Sequence, residues 1–173
     1  MFDALFTTTT EYKKLSHALS GKGACALFGL PASGRAQVYA ALCRQLDKPL
    51  CIVTPGEAEA TRFAADLNTL GIPAAVFPAR DYVLRPIEGT AREYEYRRLA
   101  VLGELVGGRL RAVAVPAEAL TQFTTPKEDF CANTRTLHTG DTLLRDDLLA
   151  ALFGAGYTRR AQVDGPGQFS VRG

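Results

Sequence analysis

The sequence has no C-x-x-C pair, and its two histidines, His17 and His138, stand far from all four cysteines, Cys25, Cys43, Cys51 and Cys131. No metal-ligand spacing can be drawn from such a set, and no Ser/His/Asp or Cys/His catalytic group either. We therefore expect no catalytic residue and no metal. No apolar run reaches the ~18 residues of a membrane span. The opening Met1-Phe2-Asp3 lacks the basic segment and apolar stretch of a secretory signal, so the expected compartment is the cytoplasm. Charge of one sign is also missing. Twenty basic residues meet eighteen acidic ones for a net +2, which gives no bulk electrostatic case for tight nucleic-acid binding.

What is present is the material of a core. The chain is 47% hydrophobic and 22% charged, too apolar for disorder, and 173 residues hold one domain or one domain with the start of a second. Cys25 and Cys51 lie inside apolar runs, where a reduced thiol is expected to be buried and to act as a small hydrophobe.

Short β-type runs alternate with helical patterns. Ala24 to Leu30 reads as a strand, Ser33 to Leu46 as a helix, Leu50 to Thr54 as a strand and Pro55 to Leu70 as a helix. In the second helix, Thr54-Pro55-Gly56-Glu57 has the form of a capping box with proline at the first helical position. Ala60, Phe63, Ala64 and Leu67 line one face, and Gly71 ends it. Ala74 to Phe77 and Arg111 to Val115 lack polar alternation, as strands covered on both faces should. Between them Thr90-Ala91-Arg92-Glu93, a second capping box, opens a helix with Leu99, Leu102, Leu105 and Val106 at helical spacing. This βαβ rhythm gives an α/β class with a parallel sheet. After Pro116 it changes. Residues 121–129 read as a connection, followed by a strand near Thr134 to His138, a helix near Arg145 to Phe153, a turn at Gly165-Pro166-Gly167 expected to close a hairpin, and a strand over Gln168 to Arg172. The expected organisation is a helical lead-in over 1–22, an α/β lobe over 23–129 and the start of a small α+β domain over 130–173. Because the last strand has only begun at Gly173, we expect a piece of a longer polypeptide.

Gly29-Leu30-Pro31-Ala32-Ser33-Gly34-Arg35-Ala36 has two glycines at the spacing of a phosphate loop, between an expected strand and an expected helix. Its chemistry is wrong. Arg35 stands where lysine would reach the β and γ phosphates, and Ala36 stands where a hydroxyl would hold magnesium. Arginine keeps the charge without lysine's compact reach, and alanine cannot ligate a metal. We expect a degenerate loop with no nucleotide cofactor. The intact glycine spacing leaves an active small P-loop NTPase as the alternative.

A second segment interleaves Arg80, Arg85, Arg92, Arg97 and Arg98 with Tyr82, Tyr94 and Tyr96, a pattern suited to stacking on nucleic acid. Asp81, Glu88, Glu93 and Glu95 reduce it to a net +1. Glu93 with Arg97 and Glu95 with Arg98 can pair along one helix, so a solvated, ion-paired face is expected and a nucleic-acid-binding module is the further alternative.

Three stretches taken together carry a resemblance: Phe77-Pro78-Ala79-Arg80-Asp81-Tyr82; Glu88-Gly89-Thr90-Ala91-Arg92-Glu93-Tyr94-Glu95; and Gly156-Tyr157-Thr158-Arg159 with Gly167-Gln168-Phe169-Ser170-Val171-Arg172-Gly173. Their order and spacing resemble the N-terminal region of the bacterial transcription-repair coupling factors (Mfd), which is similar to the excision-repair protein UvrB. The resemblance implies a RecA-like, UvrB-like lobe that has lost nucleotide binding, followed by the start of an inserted domain that docks onto UvrA. It carries over Arg172 as the docking arginine, with Phe169 and Gln168 beside it. In the intact protein it implies binding of RNA polymerase and DNA, and ATP and magnesium in motor domains that are no part of this chain. The tyrosine-rich insertion that UvrB uses to clamp DNA has no counterpart here.

Overall fold

The computed structural model describes residues 6–21, 23–80 and 93–172. The second capping box, except for Glu93, and Tyr82, Arg85 and Glu88 lie outside the described residues, as does Gly173. The chain divides into two compact units, Met1–Gln122 and Phe123–Gly173, separated near the Thr/Pro-rich connection.

In the first unit, β1 (Leu50–Thr54), β2 (Ala74–Val76) and β3 (Ala112–Pro116) form a parallel sheet in the order β1-β3-β2. Leu50 is in register with Ala112, as is Ala74 on the other side. Buried at every position, β3 explains its own sequence. Ala112 and Ala114 face one layer, where small side chains let helices approach closely. Val113 and Val115 face the other. The first layer contains helix α2 (Ala32–Gln45), through Ala36, Ala40 and Cys43, and helix α3 (Glu57–Thr69), through Ala60, Phe63, Ala64 and Leu67. Helix α4 (Glu93–Val106) covers the second with Val101, Leu102 and Leu105, while Leu99 and Val106 remain exposed. Arg111, at the start of β3, donates from Nη2 to the carbonyls of Cys43 and Leu46, satisfying the end of α2.

The lead-in forms helix α1 (Thr10–Ser20), capped by Thr9, whose hydroxyl accepts from the Tyr12 amide at 3.2 Å. Tyr12 is buried against Val38, Ala41 and Leu42 of α2, and its hydroxyl donates to Gln45 Oε1 at 3.0 Å. Helix α3 ends at Gly71, which takes φ +75° so that the Ile72 amide reaches the Leu67 carbonyl and the Gly71 amide reaches that of Asn68.

Several expectations are corrected. The run Ala24 to Leu30 forms no strand. Residues 23–29 are exposed, with Phe28 at 87%, and no ladder takes them up. Cys25, in that run, is therefore exposed; Cys51 is exposed too although its strand β1 forms, and Cys43 is the buried thiol. The Thr54 capping box does not form. Gly56 is the cap of α3, Pro55 precedes it, and the Thr54 hydroxyl donates to the Gly56 carbonyl at 2.9 Å.

Helix α5 (Ala117–Leu120) ends the first unit, and the second contains α6 (Lys127–Ala132), α7 (Arg145–Gly154), β4 (Thr158–Arg159) and β5 (Gln168–Phe169). Thr134 to His138 is coil, not strand. The turn at Gly165-Pro166-Gly167 does not close a hairpin, because β4 and β5 run parallel with Thr158 opposite Gln168. Helix α7 closes as α3 does, with the Tyr157 amide reaching the Leu152 carbonyl around Gly156. No described helix is long and apolar enough to cross a membrane.

Candidate functional site

The degenerate loop is organised around Gly29, which takes φ +81°, a left-handed conformation that any side chain would strain. Pro31 caps α2 with extended backbone, and its carbonyl accepts from the Arg35 amide at 3.0 Å. At Gly34 an added Cβ would lie 3.3 Å from the Pro31 ring, so the second glycine serves the tight packing of the loop on its own helix.

The two residues that break the phosphate-loop pattern are turned toward α3. The Arg35 guanidinium sits 5.6 Å from the centroid of the Phe63 ring and places Nη1 3.7 Å from a Glu59 carboxylate oxygen. Its Nε is buried without an acceptor among the described residues. Ala36, only 3% exposed, packs in the cluster that contains Phe63 and Leu67. A hydroxyl or a longer side chain at position 36 would enter that core instead of facing a bound metal. The loop's cationic group is thus engaged in a helix-helix contact; Phe63 is legible in the sequence as part of an apolar helix face, but neither it nor Glu59 is marked there as a partner of Arg35. A glutamate and an aromatic at i and i+4 on α3 are the only signal that could have suggested them.

The arginine-tyrosine segment divides. Arg80 is exposed and lies 3.5 Å from Glu95. Arg97 lies 5.8 Å from the Tyr94 ring centroid. Arg98, expected on a solvated face, is instead 8% exposed, with its guanidinium 4.1 Å from the centroid of the Phe77 ring. Its Nη1 donates to the Pro78 carbonyl at 2.9 Å and to Gln122 Oε1 at 3.0 Å. Gln122 also accepts from the Arg80 amide at 2.7 Å and donates to the Arg80 carbonyl at 3.0 Å, as a neighbouring strand would. Phe77-Pro78-Ala79-Arg80 is therefore a clamped segment at the C-terminal end of β2. A glutamine 42 positions away has no sequence signal that could have revealed this role.

Gln168, Phe169 and Arg172 belong to the second unit, whereas Gly29, Gly34, Arg35 and Ala36 belong to the first. Phe169 is buried, its ring edge-on to Phe153 at 5.1 Å. Gln168 accepts from the Asp164 amide at 2.9 Å through Oε1. The Arg160 amide donates to the Phe169 carbonyl and the Ser170 hydroxyl donates to Ala161, so both ends of β5 are fixed by neighbouring chain. The strand expected over Gln168 to Arg172 stops at Phe169, since the ladder with β4 has only two rungs; beyond it Val171 is half-buried and Arg172 is exposed in non-strand chain. Leu144, Phe153, Tyr157 and Val163 of the same unit are large apolar residues left exposed.

No family profile matches the chain. Among curated proteins it is 28% identical over 149 residues, 85% of its length, to the transcription-repair-coupling factor of Bacillus subtilis (strain 168). It is 25% identical over 147 residues, 84% of its length, to that of Staphylococcus aureus (strain USA300). The chain spans 13% of the length of each of these relatives. The resemblance drawn from the three motif stretches therefore stands: over most of its length this chain is similar to one short part of the transcription-repair-coupling factors.

Proposed function

We propose that this chain is the N-terminal docking module of a transcription-repair coupling factor, without catalytic activity of its own, that recruits UvrA where RNA polymerase has stalled at a lesion. The parent protein would be an ATP-dependent DNA translocase acting in nucleotide excision repair, with ATP, magnesium, DNA and RNA polymerase bound by its other domains. The observation that carries the non-catalytic part of this reading is the placement of Arg35 over Phe63 beside Glu59, with Ala36 in the core. A nucleotide phosphate would have to draw the arginine off its aromatic partner, and the adjacent position offers no magnesium ligand. The docking part rests on the similarity to the coupling factors and on the exposed Arg172. Its fixed fork of donors suits a carboxylate or backbone carbonyl on the partner, with buried Phe169 and half-buried Val171 bracing the segment that leads to it.

The test is a pair of titrations on the folded 173-residue chain. Saturable binding to UvrA and no heat on addition of Mg·ATP are expected. A folded chain that shows no saturable UvrA binding, or that binds Mg·ATP with micromolar affinity, contradicts the proposal.

A further inference from the structure

β1 is an edge strand. Among the described residues no strand lies beyond it. The Leu50 amide donates to the Arg111 carbonyl on the β3 side, so by the alternation of a parallel ladder Leu50, Ile52 and Thr54 bond toward β3. Cys51 and Val53 therefore direct their amides and carbonyls to the open edge. Both are exposed, Val53 at 54%, whereas Ile52 is 6% exposed. Elsewhere in the same unit, Ala24-Cys25-Ala26-Leu27-Phe28 is an apolar run that is exposed and in no ladder, with Leu27 at 46% and Phe28 at 87%. An open edge and an unpaired apolar segment in one unit are both costly, the first through unpaired backbone and the second through hydrated apolar surface.

Chain handedness says where the segment belongs. Helices α2 and α3 lie on the same face of the sheet. The connection from β1 through α3 to β2 steps past β3 in one direction. Parallel crossovers are right-handed, so crossovers on one face step the same way. The preceding connection, from the apolar run through α2 to β1, must step in that direction too, which places the run on the side of β1 away from β3. That is the open edge. Gly23 on one side and Gly29, already at φ +81°, on the other supply the backbone freedom for a swing, and Leu30 stays anchored against the Tyr12 and Val38 cluster.

The geometry points to a conformational strap: residues 24–28 exchange between the exposed coil and a fourth parallel strand added to the free edge of β1. Closing the strap pairs the amides of Cys51 and Val53 and removes Leu27 from water, on the α2 side of the sheet or on its opposite face according to register. Because the strap leads directly into the Gly29 to Ala36 turn, closure also fixes that turn from its N-terminal side. The inference is independent of UvrA docking.

Amide hydrogen exchange on the 173-residue chain, resolved by residue, tests it. Closure predicts that the Cys51 and Val53 amides exchange within about tenfold of the Ile52 amide, whereas a permanently open strap leaves them at the rates of unprotected amides. Two variants, Ala26→Pro and Leu27→Pro, are measured alongside. Adjacent residues of a strand donate to opposite sides, so one of the two prolines must remove a donor to β1, while neither disturbs an exposed coil. Loss of Cys51 and Val53 protection in one variant with Ile52 unchanged supports the strap. Unprotected Cys51 and Val53 amides in the wild type overturn it. So does protection that survives both prolines, or that rises with protein concentration, since the edge is then covered by a second copy.

Discussion

At the residue scale, the features that decide chemistry are two side chains that fold into a helix contact. Arg35 and Ala36 were recognisable in the sequence as departures from a phosphate loop, but where they went instead was not, because the partners Glu59 and Phe63 lie on a different helix and carry no motif. Restoring the consensus pair, Arg35→Lys with Ala36→Thr, is expected to yield no ATP hydrolysis above the wild-type background. It should also destabilise the unit by about 1–3 kcal/mol, since a larger side chain must enter a filled cluster; urea denaturation reads the loss. Arg35→Ala alone, removing a partly exposed ion pair and a ring contact, should cost no more than ~1 kcal/mol. Cys43 supplies a pH prediction. Burial pushes its thiol up, against the lowering influence of Arg111 and Arg44. The unfolded chain therefore releases this proton at lower pH than the folded one. The Cys43 contribution is intact below the ordinary thiol pKa and is lost as pH rises through the folded value. The urea midpoint of the wild type should fall more steeply than that of Cys43→Ala as pH rises above the ordinary thiol pKa of about 8.5. Parallel slopes would show that the thiol is not the cause.

At the element scale, legibility follows from where the determining contacts lie. Helices announce themselves within their own sequence, and the stretch with Ala60, Phe63, Ala64 and Leu67 at helical spacing is the buried face of α3. Continuous apolar runs marked β1 and β3 to within a residue. A strand, however, exists only beside another strand. Ala24 to Leu30 has the composition of one and is left without a neighbour, and Thr134 to His138 has neither a neighbour nor a ladder. The parallel pairing of β4 and β5 escaped notice for the same reason: a Gly-Pro-Gly turn reads as a hairpin when its longer-range context is unknown. The clamp on residues 77–80 is the most consequential element-level contact with no local signal. Gln122→Ala removes the acceptor for Arg98 and both bonds to the Arg80 backbone. A loss of about 1–3 kcal/mol is expected, with faster amide exchange at Arg80 while Ala114 is unaffected; an unchanged Arg80 rate would contradict the clamp.

At the scale of the whole molecule, the chain is two units with different internal economies. The first has a sheet between helical layers and a core centred on β3, and its fold class was readable from the alternation of strand and helix patterns. The second has few buried residues, Phe169 among them, and a two-residue parallel ladder, with large apolar side chains left in water. Sheets this small are marginal alone, so partner or neighbouring surface matters more to this unit than to the first. Its motif residues could be read only through resemblance, because an exposed arginine outside regular structure has no chemical signature until a partner is specified. The proposed docking therefore belongs to the second unit, and the loop of the first is expected to have no direct part in it. The measurement that separates these is UvrA affinity for the wild-type chain, Arg172→Ala and Arg35→Ala under one set of conditions. Arg172→Ala is expected to weaken binding more than about tenfold, or ~1.4 kcal/mol, while Arg35→Ala should bind as the wild type does. Equal affinity of Arg172→Ala and wild type, or a loss confined to Arg35→Ala, would contradict the proposed docking.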